Sequence, residues 1–417
     1  MLGAATLAAE PAVKAGAPAS FTDALTQGKV SINARLRYES VEQDSQQDAD
    51  ALTARLRLGY ATKVFKGFQA MIEGEAVTPI IDDYFDGTGT NSAPPTATVA
   101  DPEVYNVNQA WVSYSREKTK GTLGRQRLVL DNARFVGDVG WRQNDQTFDA
   151  LVLQDKTFEK LTLTYGYVSY VNRVFDNETG PTAASTQLNW RSDSHILNAS
   201  YAGLPFGTLT GYAYLLDFDA HGLGQAAARA NSTQTYGLSL AGTRPVAKDL
   251  KASYRLEYAL QSDYAGNPFP GGYSADYYAA EVGAAYQAFS LAAGYEVLGS
   301  DDGLTGFKTP LATLHAFNGW ADVFLNTPSA GLTDTYVKAG ATLPGNTTLT
   351  AFYHFFGTED AQSQIGREFD VVATYKLNKQ LSFTAKVAKY WSDQTAVAGV
   401  ASNADRTKFW LQADYAY

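Results

Sequence analysis

The sequence predicts an all-β fold: a transmembrane antiparallel up-and-down β-barrel of about eighteen strands, with short periplasmic turns and long extracellular loops. Three observations predict it. Apolar and polar residues alternate with period two from one end of the chain to the other, as half-buried strands require. The connections between these runs alternate between short and long. Tyrosine and phenylalanine close many apolar faces at the strand ends, where an amphipathic ring bridges hydrocarbon and headgroup.

Composition narrows the alternatives. The chain has 417 residues, 45% hydrophobic and 13% aromatic, with 26 Tyr and 21 Phe against 2 Met. That is too apolar and too rich in rings for disorder, and it leans towards strands. The absence of cysteine removes disulfide scaffolds, thiolate metal sites and cysteine nucleophiles. A net charge of -10 lacks the basic footprint of a nucleic-acid binder. No run of about 18 apolar residues exists to form a transmembrane helix. A soluble sandwich or propeller would have no reason to sort its turns by length onto alternate ends, and no blade-length repeat recurs.

Residues 1–25 are small and apolar with no charge before Glu10, and they read as a signal-peptide remnant or flexible N-terminus outside the fold. Residues 26–417 then make a single barrel. Its first strand is Val30–Glu39, with Ile32, Ala34, Leu36 and Tyr38 on one face and Asn33, Arg35 and Arg37 on the other. Leu52–Tyr60 repeats the pattern, with Leu56 and Leu58 opposite Arg55 and Arg57. Similar runs start near Phe68, Val104, Thr122, Thr147, Leu161, His195, Thr208 and Gln234. Leu250–Leu260 carries Lys251, Ser253, Arg255 and Glu257 on its polar side. The rest begin near Asp276, Phe289, Thr333, Thr347, Arg367, Gln380 and Thr407. Tyr38, Tyr60, Phe68, Tyr114, Tyr286, Phe289, Tyr375 and Phe383 hold girdle positions.

Arginines concentrate on faces that a packed soluble core would not accept but a water-filled lumen would. Arg35, Arg37, Arg55 and Arg57 lie on partner strands. Arg125 and Arg127 belong inside because a lipid-facing Arg near the midplane costs roughly 2–4 kcal/mol. Guanidinium forks match carboxylate or phosphate oxygens two at a time, so such a ladder is a candidate anion track. The competing reading is that these arginines pair with the equally inward Glu73, Glu75, Glu257, Glu281 and Glu296 and hold the lumen in register. Both readings stand at this point.

The long segment 299–332 is the second candidate. It is too apolar for a disordered loop and too long to lack a role. Thr309 as N-cap and Pro310 at the first helical position would start a helical turn carrying Leu311, Leu314 and Phe317 on one face. Folded into the barrel as a constriction, it would leave His315, Asn318 and Asp322 facing the lumen. Packing outside, against neighbouring loops, is the alternative. Catalysis has little support: His195, His221, His315 and His354 show neither metal-ligand spacing nor a link to a serine nucleophile. Asp82, Asp83 and Asp86 are an acidic loop cluster that could bind calcium, against the commoner reading of a solvated acidic loop.

Three runs resemble the alginate-export family of outer-membrane porins: GRQRLVLDNARFV at Gly124–Val136, WRQNDQTFDAL at Trp141–Leu151, and TPLATLHAFNGWADVFL at Thr309–Leu325. The resemblance implies a monomeric eighteen-stranded barrel in the Gram-negative outer membrane. It would pass an anionic saccharide or polysaccharide such as alginate, or a related small organic anion, through an arginine-lined pore narrowed by loops. Arg125, Arg127, Arg134 and Arg142 match the family's basic positions, and Asn318, Trp320 and Asp322 its loop motif. The many inward acids depart from the strongly basic lumen of a polymer exporter. The apolar face Phe409, Leu411, Ala413, Tyr415 and Tyr417 is similar to the terminal strand that the barrel assembly machinery reads, with Tyr in place of the usual Phe. No cofactor or metal is expected, and lipid and lipopolysaccharide are the surroundings. A docking or structural barrel for another envelope protein, and a barrel enzyme, are the rival functions.

Overall fold

The structure is a computed structural model that describes residues 18–88, 95–176, 189–219, 225–269, 271–360, 362–393 and 403–417. Among these, eighteen strands form one closed antiparallel sheet. They are β1 (Lys29–Gln43), β2 (Ala49–Ala61), β3 (Phe68–Asp83), β4 (Val104–Arg116), β5 (Thr119–Gln126) and β6 (Thr147–Asp155). There follow β7 (Leu161–Asn172), β8 (Trp190–Leu204), β9 (Gly207–Leu216, resumed as Phe218–Asp219), β10 (Thr233–Ala247), β11 (Leu250–Asp263) and β12 (Ser274–Tyr286). The last six are β13 (Phe289–Leu298), β14 (Leu332–Leu343), β15 (Thr347–Gly357), β16 (Gln364–Lys376), β17 (Leu381–Ser392) and β18 (Arg406–Ala416). Each period-two run of the sequence lies on one of these strands.

Every strand pairs with its sequence neighbours, and β18 returns to β1 in a register running from Asn33–Ala416 to Gln43–Arg406. The Ile32 and Tyr417 backbones finish the seam by exchanging N–H···O bonds of 3.1 and 2.9 Å. Closure leaves no sheet edge, so in hydrocarbon every strand amide has a partner. Both ends of the sheet lie on the short-turn side. There Lys66 (φ 51°) and Gly67 (φ 90°) make a two-residue turn between Phe65 and Phe68. Two left-handed residues match the twist of the flanking strands, and a Cβ on Gly67 would press on the Ser115 carbonyl. The length alternation is looser than the sequence suggests: two connections on the long-loop side, 44–48 and 358–363, are no longer than a turn.

The two faces separate as the alternation requires. Leu56, Leu58, Leu256, Leu260 and Leu291 are exposed on the outer wall, while Arg37, Glu39, Arg55, Arg57 and Glu257 are buried inside. Phe68, Tyr114, Tyr286, Phe289, Tyr375 and Phe383 ring the outer wall near the short turns. The Phe68 and Tyr114 rings lie 4.7 Å apart.

At the N-terminus the first 17 residues, on which most of the signal-peptide reading falls, lie outside the described residues. Residues 21–26 are helical. Helix α1 (Phe21–Thr26) starts at Ser20, whose Oγ accepts from the Asp23 amide at 3.0 Å. It is tied to the short-turn rim by the Lys63 amide, which donates to the Ala24 carbonyl at 3.0 Å. Local capping plus that anchor order a segment that composition alone marks as flexible.

Substitution tests the two faces directly. Leu256→Arg, on the lipid side near the middle of β11, should cost about 2–4 kcal/mol of barrel stability in lipid. Thr350→Arg, on the inner face of β15, should cost far less. Urea unfolding in lipid bilayers, read by heat-modifiable mobility, measures both; equal losses would contradict the assigned faces.

Candidate functional site

An eighteen-stranded barrel has a lumen too wide for wall side chains alone to fill. Residues 127–146, between β5 and β6, and residues 299–331, between β13 and β14, turn into it. Neither segment has a ladder to satisfy its backbone, so each needs donors and acceptors from the wall.

The arginines supply the donors for the first segment. Arg35 Nη1 donates to the carbonyls of Gly140, Trp141 and Arg142 at 3.3, 3.0 and 3.2 Å. Arg37 donates to the Trp141 carbonyl, and Arg55 and Arg57 donate to that of Gln143 at 3.1 and 3.0 Å. The Gln143 amide side chain answers with bonds to Thr53 O and Oγ1 at 3.1 and 2.8 Å. Four arginines on two strands thus comb the carbonyls of one loop.

Carboxylates compensate the charge. Arg57 pairs with Glu75 and, at 3.0 Å, with Asp145. Arg127 pairs with Asp145 and, at 3.1 Å, with Glu73. Arg134 grips Glu296 at 2.8 Å and Arg255 grips Glu257 at 2.6 Å. Arg125 does not face inward as expected: strand alternation sets it on the outward face with Leu123, while Gln126 takes the inner one, and at the long-loop end of β5 it is neutralised by Asp149 at 2.8 Å rather than placed in the lumen. Arg35 meets Asp414 at 2.7 Å, and Arg142 joins Glu39 and Asp322 at 3.1 and 3.0 Å. Of the five inward acids that the sequence offered as partners, four pair with arginine; Glu281 instead accepts from the Tyr336 hydroxyl at 2.7 Å.

The second segment buries Phe307, Leu311, Trp320 and Phe324. Each such side chain is worth roughly 1.5–3 kcal/mol removed from water. Its tip rests on wall carboxylates: the Ala321 amide donates to Glu368 at 2.7 Å and the Trp320 amide to Asp370 at 3.2 Å. Gly319, at φ 83°, lies where a Cβ would run into the Glu368 carboxylate. Asn318 takes Arg134 on its Oδ1 at 3.0 Å and donates to Glu296 at 2.7 Å. The helix suggested by Thr309 and Pro310 is absent; one 3₁₀ turn, Leu314–Ala316, stands four residues further on. The reason is pairing between the two segments. Leu311 bridges Val136, the Gly137 amide donates to the Leu311 carbonyl at 2.8 Å, and the Thr313 amide donates to the Ala133 carbonyl at 3.0 Å. With the Leu311 carbonyl and the Thr313 amide committed to the other segment, neither can serve a helical ladder.

Where the segments meet the wall, His315 Nδ1 lies 2.6 Å from Asp322 and its Nε2 2.6 Å from Lys386 Nζ on β17. An ammonium can only donate, so Nε2 accepts and Nδ1–H donates to Asp322: the neutral Nδ1–H tautomer. Burial pulls the His315 imidazole down to about 3, despite Asp322. Asp322 also receives Arg142 at 3.0 Å and Lys408 at 2.7 Å. The Trp141 ring stacks on His315 with centroids 4.6 Å apart and 9° between planes.

Above this junction, towards the long loops, lies a cavity of about 540 Å³. Among the described residues its walls hold five cations, Arg142, Arg173, Lys308, Arg406 and Lys408, against one carboxylate, Asp322. Among the described residues Lys308 donates to the Ala230 carbonyl, and Arg406 to Gln43 at 2.7 Å and to the carbonyls of Ala321 and Asp322 at 3.0 and 2.9 Å. Both therefore rest on neutral acceptors. Burial pulls the Lys308 ammonium down to about 8.

The sequence reading passed over Glu39, Asp101, Lys308, Lys386, Arg406, Lys408 and Trp410. Lys386 and Lys408 were legible in principle, as mid-strand lysines in phase with the inward face. His221 lies outside the described residues. Asp86 turns back on Thr88, at 2.7 Å to its amide and 2.7 Å to its hydroxyl.

Comparison with known proteins follows the same lines. The alginate-export family model matches residues 27–283, a range that stops short of the Thr309–Leu325 run. No curated protein matches the chain. Among solved structures, Acinetobacter baumannii OccAB2 is similar at 14% identity, with a TM-score of 0.68 over 93% of this chain and 98% of that one. Pseudomonas aeruginosa OccK9 (OpdG) gives 16% identity and a TM-score of 0.69 over 94% and 98%. P. aeruginosa OpdK, in a structure with vanillate, gives 11% and 0.68 over 93% and 99%. At these identities the likeness is one of fold.

Two outcomes follow from the geometry. Arg57→Glu would set a third carboxylate beside Glu75 and Asp145 and should loosen residues 127–146 by about 3–5 kcal/mol. Trypsin cleavage after Arg127 or Arg142 in the folded barrel reports it. Unchanged resistance with altered ion selectivity would instead return Arg57 to an anion track. Acid should loosen residues 299–331. His315 resists a proton when packed between Asp322 and Lys386, with Arg142 nearby, whereas a released loop titrates near 6.5. The packed state then loses about 1.4 kcal/mol per pH unit from about pH 6.5 down to about pH 3. Tryptophan fluorescence should change over that window, and a flat trace down to pH 4 would contradict it.

Proposed function

The chain belongs to the alginate-export family of outer-membrane porins, and we propose that the solute it passes is an anionic saccharide or a small organic anion. The barrel lies in the outer membrane of a Gram-negative bacterium, and its relatives are transport proteins rather than enzymes. One observation carries the choice of solute: the cavity at the mouth, with five cations to one carboxylate among the described residues. Low-dielectric walls concentrate the field of such a cluster and raise the local concentration of counter-ions. Arg142 and Lys408 are partly neutralised by Glu39 and Asp322, and Arg173 packs over the Trp190 ring at 4.1 Å, so Lys308 and Arg406 are the first residues to test as those that meet an incoming anion.

Size favours the small end of the class. Residues 127–146 and 299–331 are bonded to each other across the lumen, and the cavity above them, at about 540 Å³, suits one to a few rings rather than a polymer. An aromatic carboxylate such as the vanillate of the OpdK structure falls in this class. In this reading the inward loops form the constriction. The barrel works as a monomer among lipid and lipopolysaccharide, and the terminal strand ending at Tyr417 addresses the chain to the assembly machinery.

Reversal potentials across a planar bilayer test it. The wild-type barrel should prefer chloride and glucuronate over potassium, and Lys308→Glu with Arg406→Glu should remove most of that preference. Selectivity should also decline as pH rises through about 8, where Lys308 loses its proton, but not in Lys308→Arg. Cation preference in the wild type would overturn the anionic solute. A folded barrel with no current would favour a docking or structural role instead.

A further inference from the structure

Lys386 projects from the inner face of β17, and its ammonium is enclosed by aromatic rings. The centroids of Trp320, Trp141 and Trp410 lie 3.7, 4.1 and 5.1 Å from Nζ. Nζ also makes a 2.6 Å bond to His315 Nε2 and feels the carboxylates of Asp370 on the neighbouring strand and of Asp322. The rings and the imidazole have three origins. Trp141 comes from the first inward segment, Trp320 and His315 come from the second, and Trp410 belongs to β18. The β17 backbone is fully paired with β16 and β18 whether or not the lysine is there. The sheet does not need the ammonium for its hydrogen bonds, and the 2.6 Å bond and the two nearest rings of the cage come from the loops.

Attraction between a cation and a ring face strengthens as water leaves, and this lysine is buried. Trp141 is held further: His315 stacks on it at 4.6 Å, and the Arg37 guanidinium lies 4.2 Å from its centroid. Neither loop can move without taking a ring from the cage or the imidazole from Nζ. We infer that Lys386 is the positioning residue of the constriction, clamping both inward loops to one point of the wall and so setting the aperture between them. The inference rests on the channel reading above.

The test compares Lys386→Met, which keeps the side-chain length and removes the charge, with Trp320→Leu, which opens the cage from the loop and leaves the wall untouched. Folded barrels, identified by heat-modifiable mobility, are examined by single-channel recording and by limited trypsin digestion after Arg134, Arg142 and Lys308. Both variants should raise conductance about two- to fourfold and expose those sites, since a loop freed from its anchor no longer narrows the pore. Should Lys386→Met fail to fold, Trp320→Leu alone decides. Wild-type conductance together with wild-type trypsin resistance would overturn the clamp. Exposed trypsin sites in a barrel that carries no current, variant or wild type, would uphold the clamp and overturn the channel reading.

Discussion

The constraint on which the interior depends is the need of loop backbone to find hydrogen-bond partners away from a sheet. Strands satisfy one another all the way round, from the β1–β2 pair to the β1–β18 seam. A loop drawn into the lumen has no such ladder, and each enclosed carbonyl left bare would cost roughly 1–3 kcal/mol. Arg35, Arg37, Arg55 and Arg57 meet that need for residues 140–143 because a guanidinium offers five donors from one side chain. Glu368 and Asp370 meet it for the amides of residues 320 and 321. The wall offers guanidinium donors to the first loop, and to the second both carboxylate acceptors and the donors Lys386, Arg406 and Lys408.

The charge pattern follows from that arrangement. An acidic protein with a lumen full of arginine looks contradictory until the partners are traced. Arg57, Arg127, Arg134 and Arg255 are neutralised by Glu75, Glu73, Glu296 and Glu257, two of which also sit beside Asp145 through their arginines. Deep pairs of this kind stabilise little relative to an apolar core, yet each is costly to break on one side, so they specify a single loop position. Uncompensated positive charge is left higher up, where Lys308 and Arg406 rest on neutral acceptors. The field at the mouth is therefore set by a few residues, although the chain as a whole carries -10.

Aromatic residues do two different jobs. On the outer wall, Phe68, Tyr114, Tyr286 and Phe289 lie at the level of the short turns, where a membrane interface favours rings with one polar side. Inside, Trp141, Trp320 and Trp410 surround a lysine and join loop to loop and loop to wall. The first job depends on depth along the barrel axis. The second depends on three segments, distant in sequence, meeting at one point.

What the sequence determined by itself is everything that period and spacing encode. Side chains alternate across a strand with period two, so eighteen runs, their lipid and lumen faces and the pairing of neighbours could be read before any coordinate. Most of the inward arginines were legible for the same reason, Arg125 being the exception, as was the burial potential of Leu311, Trp320 and Phe324. Tertiary structure decided what those residues meet. Whether Arg57 faces solute or Glu75, whether Leu311–Thr313 is helical or bonded to the other loop, and whether Lys386 touches water or three tryptophans all depend on contacts between residues 18 to 245 positions apart. No local period records such contacts, because two loops entering a wide lumen are placed by each other and by the wall rather than by their own residues. The capped helix at Phe21–Thr26 is the smaller case: Ser20 is visible in the sequence, but the Lys63 amide that anchors it is a matter of packing.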